Sequence, residues 1–220
     1  MLGLLRQGHT DVVDADLSKY FDTIPHDEAW QAHVINYADD FVILSRGYAA
    51  EALTWTDRVM TRLGLTLNRT KTRLCDARQE RFDFLGYSFG PHCFRQTGRG
   101  FIGASPSKTS VQRLKDKVGE TLVPGNVGPW QEVSGSLNRL VRGWCGYFSP
   151  GSHYATDRVV EAHVYDRVRN FLVRRHNVRN FLVRRHKMPA RSIGPFTMEA
   201  VFGALGVVRP RLCRRSGVMS

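Results

Sequence analysis

Cysteine is scarce in this chain of 220 residues. Its four copies, Cys75, Cys93, Cys145 and Cys213, stand at irregular intervals with no CxxC pair. That argues against structural zinc and against a disulfide framework. Long apolar runs are missing as well. Nothing approaches the ~18 consecutive apolar residues of a membrane-spanning helix, and the opening MLGLLRQGHTDVV has no apolar run that would make it a signal peptide. A reducing, cytoplasmic setting without membrane partners fits these absences. There is no His/Asn/His cluster of the kind that builds a small nuclease site, and His92-Cys93 is too isolated to hold a metal. What the chain does have is 42% hydrophobic residues, enough for a core, so wholesale disorder is excluded.

Acidic charge is short overall, and the shortage is local. The formal net charge is +12. Residues 1–104 hold 12 Lys+Arg against 13 Asp+Glu, whereas residues 105–220 hold 20 against 7. All of the positive excess therefore lies in the second half. Such a balance suits a polyanion, with a nearly neutral part beside a phosphate-binding part. A solvated basic surface is the plainer alternative.

The periodicity divides along the same line. DVVDAD at 11–16 alternates as a strand, and HVINYADDFVIL at 33–44 reads as a hairpin around Ala38-Asp39-Asp40. Residues 49–63 follow a helical period with Leu53, Val59, Met60 and Leu63 inward, and Gly64 ends it. Residues 72–76 and 81–89 suggest a second hairpin. The Gly-, Pro- and Ser-rich stretch 91–106 reads as a linker. Three helical stripes follow: Val111, Leu114, Val118 and Leu122; then Trp130, Val133, Leu137, Leu140, Val141, Trp144 and Tyr147; then Val160, Val164, Val168 and Phe171. VRNFLVRRH occurs twice, at 168–176 and 178–186, a local duplication rather than a solenoid. If one helix runs through both copies, the second extends it by about 15 Å. The tail 188–220 shows no clear period and reads as a weakly structured basic end.

Carboxylates carry the chemistry on offer. Asp16 ends the first strand, and Asp39 and Asp40 sit at the hairpin tip. Magnesium prefers carboxylate oxygens, and a two-metal site needs them from two chain segments at one point. A lone Asp-Asp at a turn is weak evidence, because Asp favours turns for local hydrogen-bonding reasons.

The flanking residues sharpen that evidence. DADLSKYFDTIPHDE at 14–28 and YADDFVILSRG at 37–47 resemble palm motifs A and C of group II intron reverse transcriptases. LGLTLNRTKTRL at 63–74 resembles motif D, and FDFLGYSF at 82–89 resembles the segment leading to the primer grip. SVQRLKDKV at 110–118, LNRLVRGWCGYFSPG at 137–151 and VRNFLVRRH resemble the maturase (thumb, or X) domain of the same proteins. The resemblance implies an α+β chain with four parts. Residues 1–90 would be a partial polymerase palm on a small antiparallel sheet, 91–106 a linker, 107–187 an all-α maturase domain, and 188–220 a basic tail.

It also implies site residues. Asp16 and Asp39, assisted by Asp40, would hold two magnesium ions. Phe21 would lie under the sugar of the incoming nucleotide, Tyr37 beside the substrate, and Lys71 would help to protonate pyrophosphate. Lys108, Arg113, Lys115, Lys117, Arg139, Arg142, Trp144, Tyr147, Arg169, Arg174 and Arg175 would face intron RNA or the template–primer duplex, with a DNA target as a further candidate partner. For Trp144 and Tyr147, whose place is on an apolar stripe, core packing is an alternative of at least equal weight.

Two departures from the family pattern stand out. The family pattern has a fingers region before motif A, whereas the sequence here begins only about ten residues before it. Asp16 and Asp39 are only 23 residues apart, with no Gly-rich motif B between them. A parallel crossover needs about 10–12 residues or more, usually with a helix. The expectation is a marginal palm with part of its apolar sheet face uncovered and no processive polymerisation. Three functional readings follow: an RNA-directed DNA polymerase with splicing activity, a non-catalytic RNA-binding remnant, and a decayed reading frame.

Overall fold

The computed structural model describes residues 1–16, 32–37, 40–62, 64–68, 70–94, 96–152, 154–186 and 197–210. They fall into two compact units, Met1–Ser107 and Lys108–Ser220, and the chain as a whole combines helices with small antiparallel sheets.

In the first unit, β1 (Asp11–Asp16) buries Val12 and Val13 side by side. Neighbouring residues of a strand point to opposite faces, so both faces of this strand are covered. The same holds for β3 (Asp40–Ser45), which is buried from Phe41 to Ser45. With β2 (His33–Tyr37) and β4 (Arg73–Asp76), these strands form a sheet of order β2-β3-β1-β4 in which every neighbouring pair is antiparallel. β1 and β2 therefore run parallel with β3 between them.

On one face, Val13, Phe41 and Ile43 pack with Ala52 and Met60 of helix α2 (Ala49–Arg62) and with Leu67. The deepest positions of α2 are Ala52, Thr56 and Met60. Leu53 packs at the margin and Val59 is half-buried, so the helix is turned slightly from the expected stripe. Thr56 is tolerated inside because its Oγ1 donates to the Ala52 carbonyl at 2.7 Å. On the other face, Val12, Val42 and Leu44 meet Leu5 of the short helix α1 (Leu2–Arg6) and the aromatic face of a second sheet, β5 (Phe82–Phe84), β6 (Tyr87–Cys93) and β7 (Gly100–Pro106).

Three expectations are corrected here. The four-stranded sheet does not leave its central valines and isoleucine bare, because α2 closes one face and α1 with the second sheet closes the other. Strands this short need only one helix or small sheet per face. The stretch 91–106 is not a linker: most of it lies in β6 and β7, whose register runs from Tyr87 opposite Pro106 to Cys93 opposite Gly100. Pro91 is accommodated because β5 pairs with β6 only up to Phe82–Phe89, so Pro91 stands where β6 has a strand on one side alone. The second hairpin also pairs differently: β4 joins β1, and β5 joins β6.

The second unit is built from α3 (Lys108–Thr121), α4 (Trp130–Tyr147) and α5 (Tyr154–His186). Its core holds Leu114, Val118 and Leu122 from α3, Val133, Leu137, Val141 and Cys145 from α4, and Val160, Val164, Val168 and Phe171 from α5. These are the three stripes read from the sequence, apart from Val111, Trp130, Leu140, Trp144 and Tyr147, with Cys145 added to them. α5 continues without a break through both copies of VRNFLVRRH.

The tail expectation is corrected as well. Residues 197–210 fold back onto the helices, with a π-helical turn at Ala200–Ala204 and with Val201 and Val207 in the core. Trp130 Nε1 donates to the Leu205 carbonyl at 3.0 Å, Arg209 pairs with the buried Glu161 at 2.7 Å, and Cys145 Sγ lies 3.6 Å from the Pro210 carbonyl. This apolar segment is too short to display a period, and its partners are distant in sequence.

Candidate nucleic-acid interface

Arg113 and Lys117 stand one turn apart on α3, and Leu140, Gly143, Trp144 and Tyr147 recur at helical spacing on α4. Packing α3 against α4 brings these two rows together around a groove of about 410 Å³, completed by Ser110, Leu114, Arg139 and Phe148. The groove holds three cations and, among the described residues, no Asp or Glu lines it. Its floor is apolar, and an aromatic wall closes one side. Phe148 is buried, with its ring 5.0 Å from that of Trp144 and 4.8 Å, edge to face, from that of Tyr147. Trp144 is half-buried, whereas Tyr147 is 57% exposed. The two readings of this pair thus separate. Trp144 belongs partly to the core margin, and Tyr147 presents its ring to the groove and to solvent.

Of the cationic and aromatic residues singled out from the sequence, the groove unites Arg113, Lys117, Arg139, Trp144 and Tyr147. Lys108 is exposed at the start of α3, and Arg142 is exposed on α4 beside the groove without lining it. Lys115 is half-buried near His163; burial lowers the imidazole of His163 from its usual range, against a hydrogen bond with the Lys115 backbone. Arg169 and Arg174 are exposed on α5. Arg175 makes contacts within the unit. It covers the Phe171 ring at 5.3 Å and donates to the Gly128 carbonyl at 3.0 Å, tying α5 to the loop between α3 and α4. Sequence reasoning missed Ser110, Leu114, Leu140, Gly143 and Phe148 as lining residues. The available signal was Gly143, a glycine inside a helix, where it costs stability unless the space is used.

In the first unit, Asp16 and Asp40 are register partners on β1 and β3, and Tyr37 pairs with Asp40 across β2 and β3. Asp40 and Tyr37 are exposed, the latter by 65%. β4 pairs with β1 as far as Asp14 and Arg73. Two residues further along the two segments stand Asp16 and Lys71, so Lys71, exposed in a turn shaped by Asn68, belongs to the same end of the sheet. Asp39 and Phe21 lie outside the described residues, and no group of three or more His, Cys, Asp or Glu side chains gathers among those described. For magnesium the donor class is right, since carboxylate-bearing positions from two strands meet at one sheet end.

Among the described residues no helix is long and apolar enough to cross a membrane. No curated protein matches the chain in sequence. Residues 111–190, which carry nearly all of the groove, match the family model of the group II intron, maturase-specific domain. That match supports a group II intron maturase acting in splicing, with the intron RNA as its bound partner.

Proposed function

We propose that this chain binds group II intron RNA through its helical unit, and that its first unit keeps reverse transcriptase palm carboxylates without supporting processive polymerisation. One observation carries the RNA-binding half: a groove with three cations and an exposed aromatic lies inside the segment that matches the maturase-specific domain. Phosphate contacts supply affinity, and aromatic rings supply stacking for unpaired bases. Lys108, Lys115, Arg142, Arg169 and Arg174 extend the basic surface for intron RNA, a template–primer duplex or a DNA target. Binding of the full chain to a structured group II intron RNA, followed from 50 to 200 mM salt, tests this reading. Affinity no better than that for a neutral control protein would end it.

For the polymerase half, Asp16, Asp39 and Asp40 would hold magnesium, which when bound activates the primer hydroxyl and neutralises the leaving phosphate oxygens. Phe21 and Tyr37 would face the nucleotide, and Lys71, at the same sheet end as Asp16, would serve as proton donor to the leaving pyrophosphate. The missing Gly-rich motif B removes the grip on template and nucleotide, so catalysis would lack the positioning on which phosphoryl transfer depends. The closed apolar cores of both units support a folded RNA-binding product over a decayed frame.

A further inference from the structure

We propose that the α3–α4 groove takes a single unpaired nucleotide of the bound RNA, with its base against Tyr147 and its phosphate on the cations at the rim. This rests on the RNA-binding reading above and adds which part of the RNA is held there. A duplex presents phosphates on its outside and keeps its bases paired and stacked, so it would satisfy the rim cations and leave the apolar floor unfilled. An extruded nucleotide answers both features, with a flat apolar face for the floor and an anion for the rim. The size agrees: about 410 Å³ lies near the lower end of the range for pockets that enclose a small molecule.

The wall is also preorganised for stacking. Tyr147 rests edge to face on Phe148, which is buried and in turn meets Trp144, so the exposed ring is braced from behind. A base stacking there loses little to the ordering of the protein side chain. Gly143 leaves the entrance open, since a Cβ built at that position meets no atom within 4 Å. A larger side chain there would enter the groove without disturbing the core behind α4.

The test uses the full chain and two RNA hairpins with the same stem, one carrying a single bulged 2-aminopurine nucleotide. Fluorescence titration gives both dissociation constants. The bulged hairpin should bind about tenfold more tightly, as expected for one stacked base, with the 2-aminopurine signal quenched on binding. Tyr147→Ala and Gly143→Leu should each bring the ratio to about one and abolish the quenching, while Tyr147→Phe keeps both. Circular dichroism of each variant shows that the helices are retained. Equal affinity of the unmodified chain for the two hairpins overturns this proposal and leaves RNA binding standing. No binding to either overturns both. A ratio that survives Gly143→Leu places the nucleotide elsewhere and overturns the assignment to this groove.

Discussion

Asn138 grips the returning C-terminal segment with both ends of its amide: Nδ2 donates to the Gly206 carbonyl at 2.8 Å, and Oδ1 accepts from the Val208 N–H at 2.7 Å. The paired bonds fix the stretch Gly206–Val208, after the π-helical turn, against α4, beside Val201 and Val207 in the core. Asn138→Ala should lower the unfolding free energy of the helical unit by about 1–3 kcal/mol, the cost of leaving such groups unsatisfied. Urea denaturation followed by circular dichroism measures it, and an unchanged midpoint would deny the clamp its role.

The groove cations should be visible in salt dependence. Replacing Arg113, Lys117 and Arg139 together by Gln should reduce the slope of log affinity against log salt by about 2 to 3 units, since each lost phosphate contact removes roughly 0.7–0.9. Filter-binding isotherms at four salt concentrations give the slope.

In primer extension on poly(rA)/oligo(dT) with magnesium, the unmodified chain should incorporate no more nucleotide than an Asp39→Ala control. Incorporation well above that control would show that the chain catalyses the reaction.

His163 gives the helical unit an acid limb. Burial is the main cause of its lowered pKa in the folded state, and the charges of Lys115 and Arg167 add to it, with Asp166 and the Lys115 backbone opposing. Its ordinary value is 6.5, so on acidification the unfolded chain takes up this proton first. The stability tied to a neutral His163 is present above pH 6.5 and is lost as pH falls through the depressed folded value. Thermal unfolding between pH 7.5 and 5 should show a shallower decline for His163→Gln than for the unmodified protein.

Thiol reactivity should separate the cysteines. Cys93 is exposed, whereas Cys75 and Cys145 are buried, and burial pushes the Cys75 thiol up to about 11. With iodoacetamide at pH 8, mass spectrometry of proteolytic peptides should find Cys93 alkylated early and Cys75 and Cys145 modified only on unfolding. The sign for Cys75 also follows. The unfolded thiol ionises first, so stability falls as pH rises from about 9 towards 11.

What could be read from the sequence was whatever repeats locally. The stripe Val160, Val164, Val168 and Phe171 predicted its own burial, because a helix brings those positions together whatever surrounds it. Arg113 and Lys117 announced a common face for the same reason. The second sheet stayed hidden because its signals conflict. Its β5–β6 turn is Leu85-Gly86, both at positive φ, and leucine is not a residue that marks such a turn. Gly90, Pro91 and Gly103 inside β6 and β7 resemble loop chemistry and are tolerated through one-sided pairing and close packing. The groove was half visible: spacing gave its cations and rings, while its floor depended on how α3 and α4 dock. The pairing of Asp16 with Asp40 is a matter of register between distant segments, which no local pattern encodes.

The fold-back of residues 197–210 bears on how this protein should be dissected. The family match stops at residue 190, yet Val201 and Val207 complete the core of the matched helices. A recombinant piece trimmed to the matched boundaries would lose those two valines, strip Trp130 and Asn138 of their carbonyl and amide companions, and bare an oily seam along α4 and α5. Such a truncation is expected to aggregate, and a failed binding assay on it would report the cut rather than the groove.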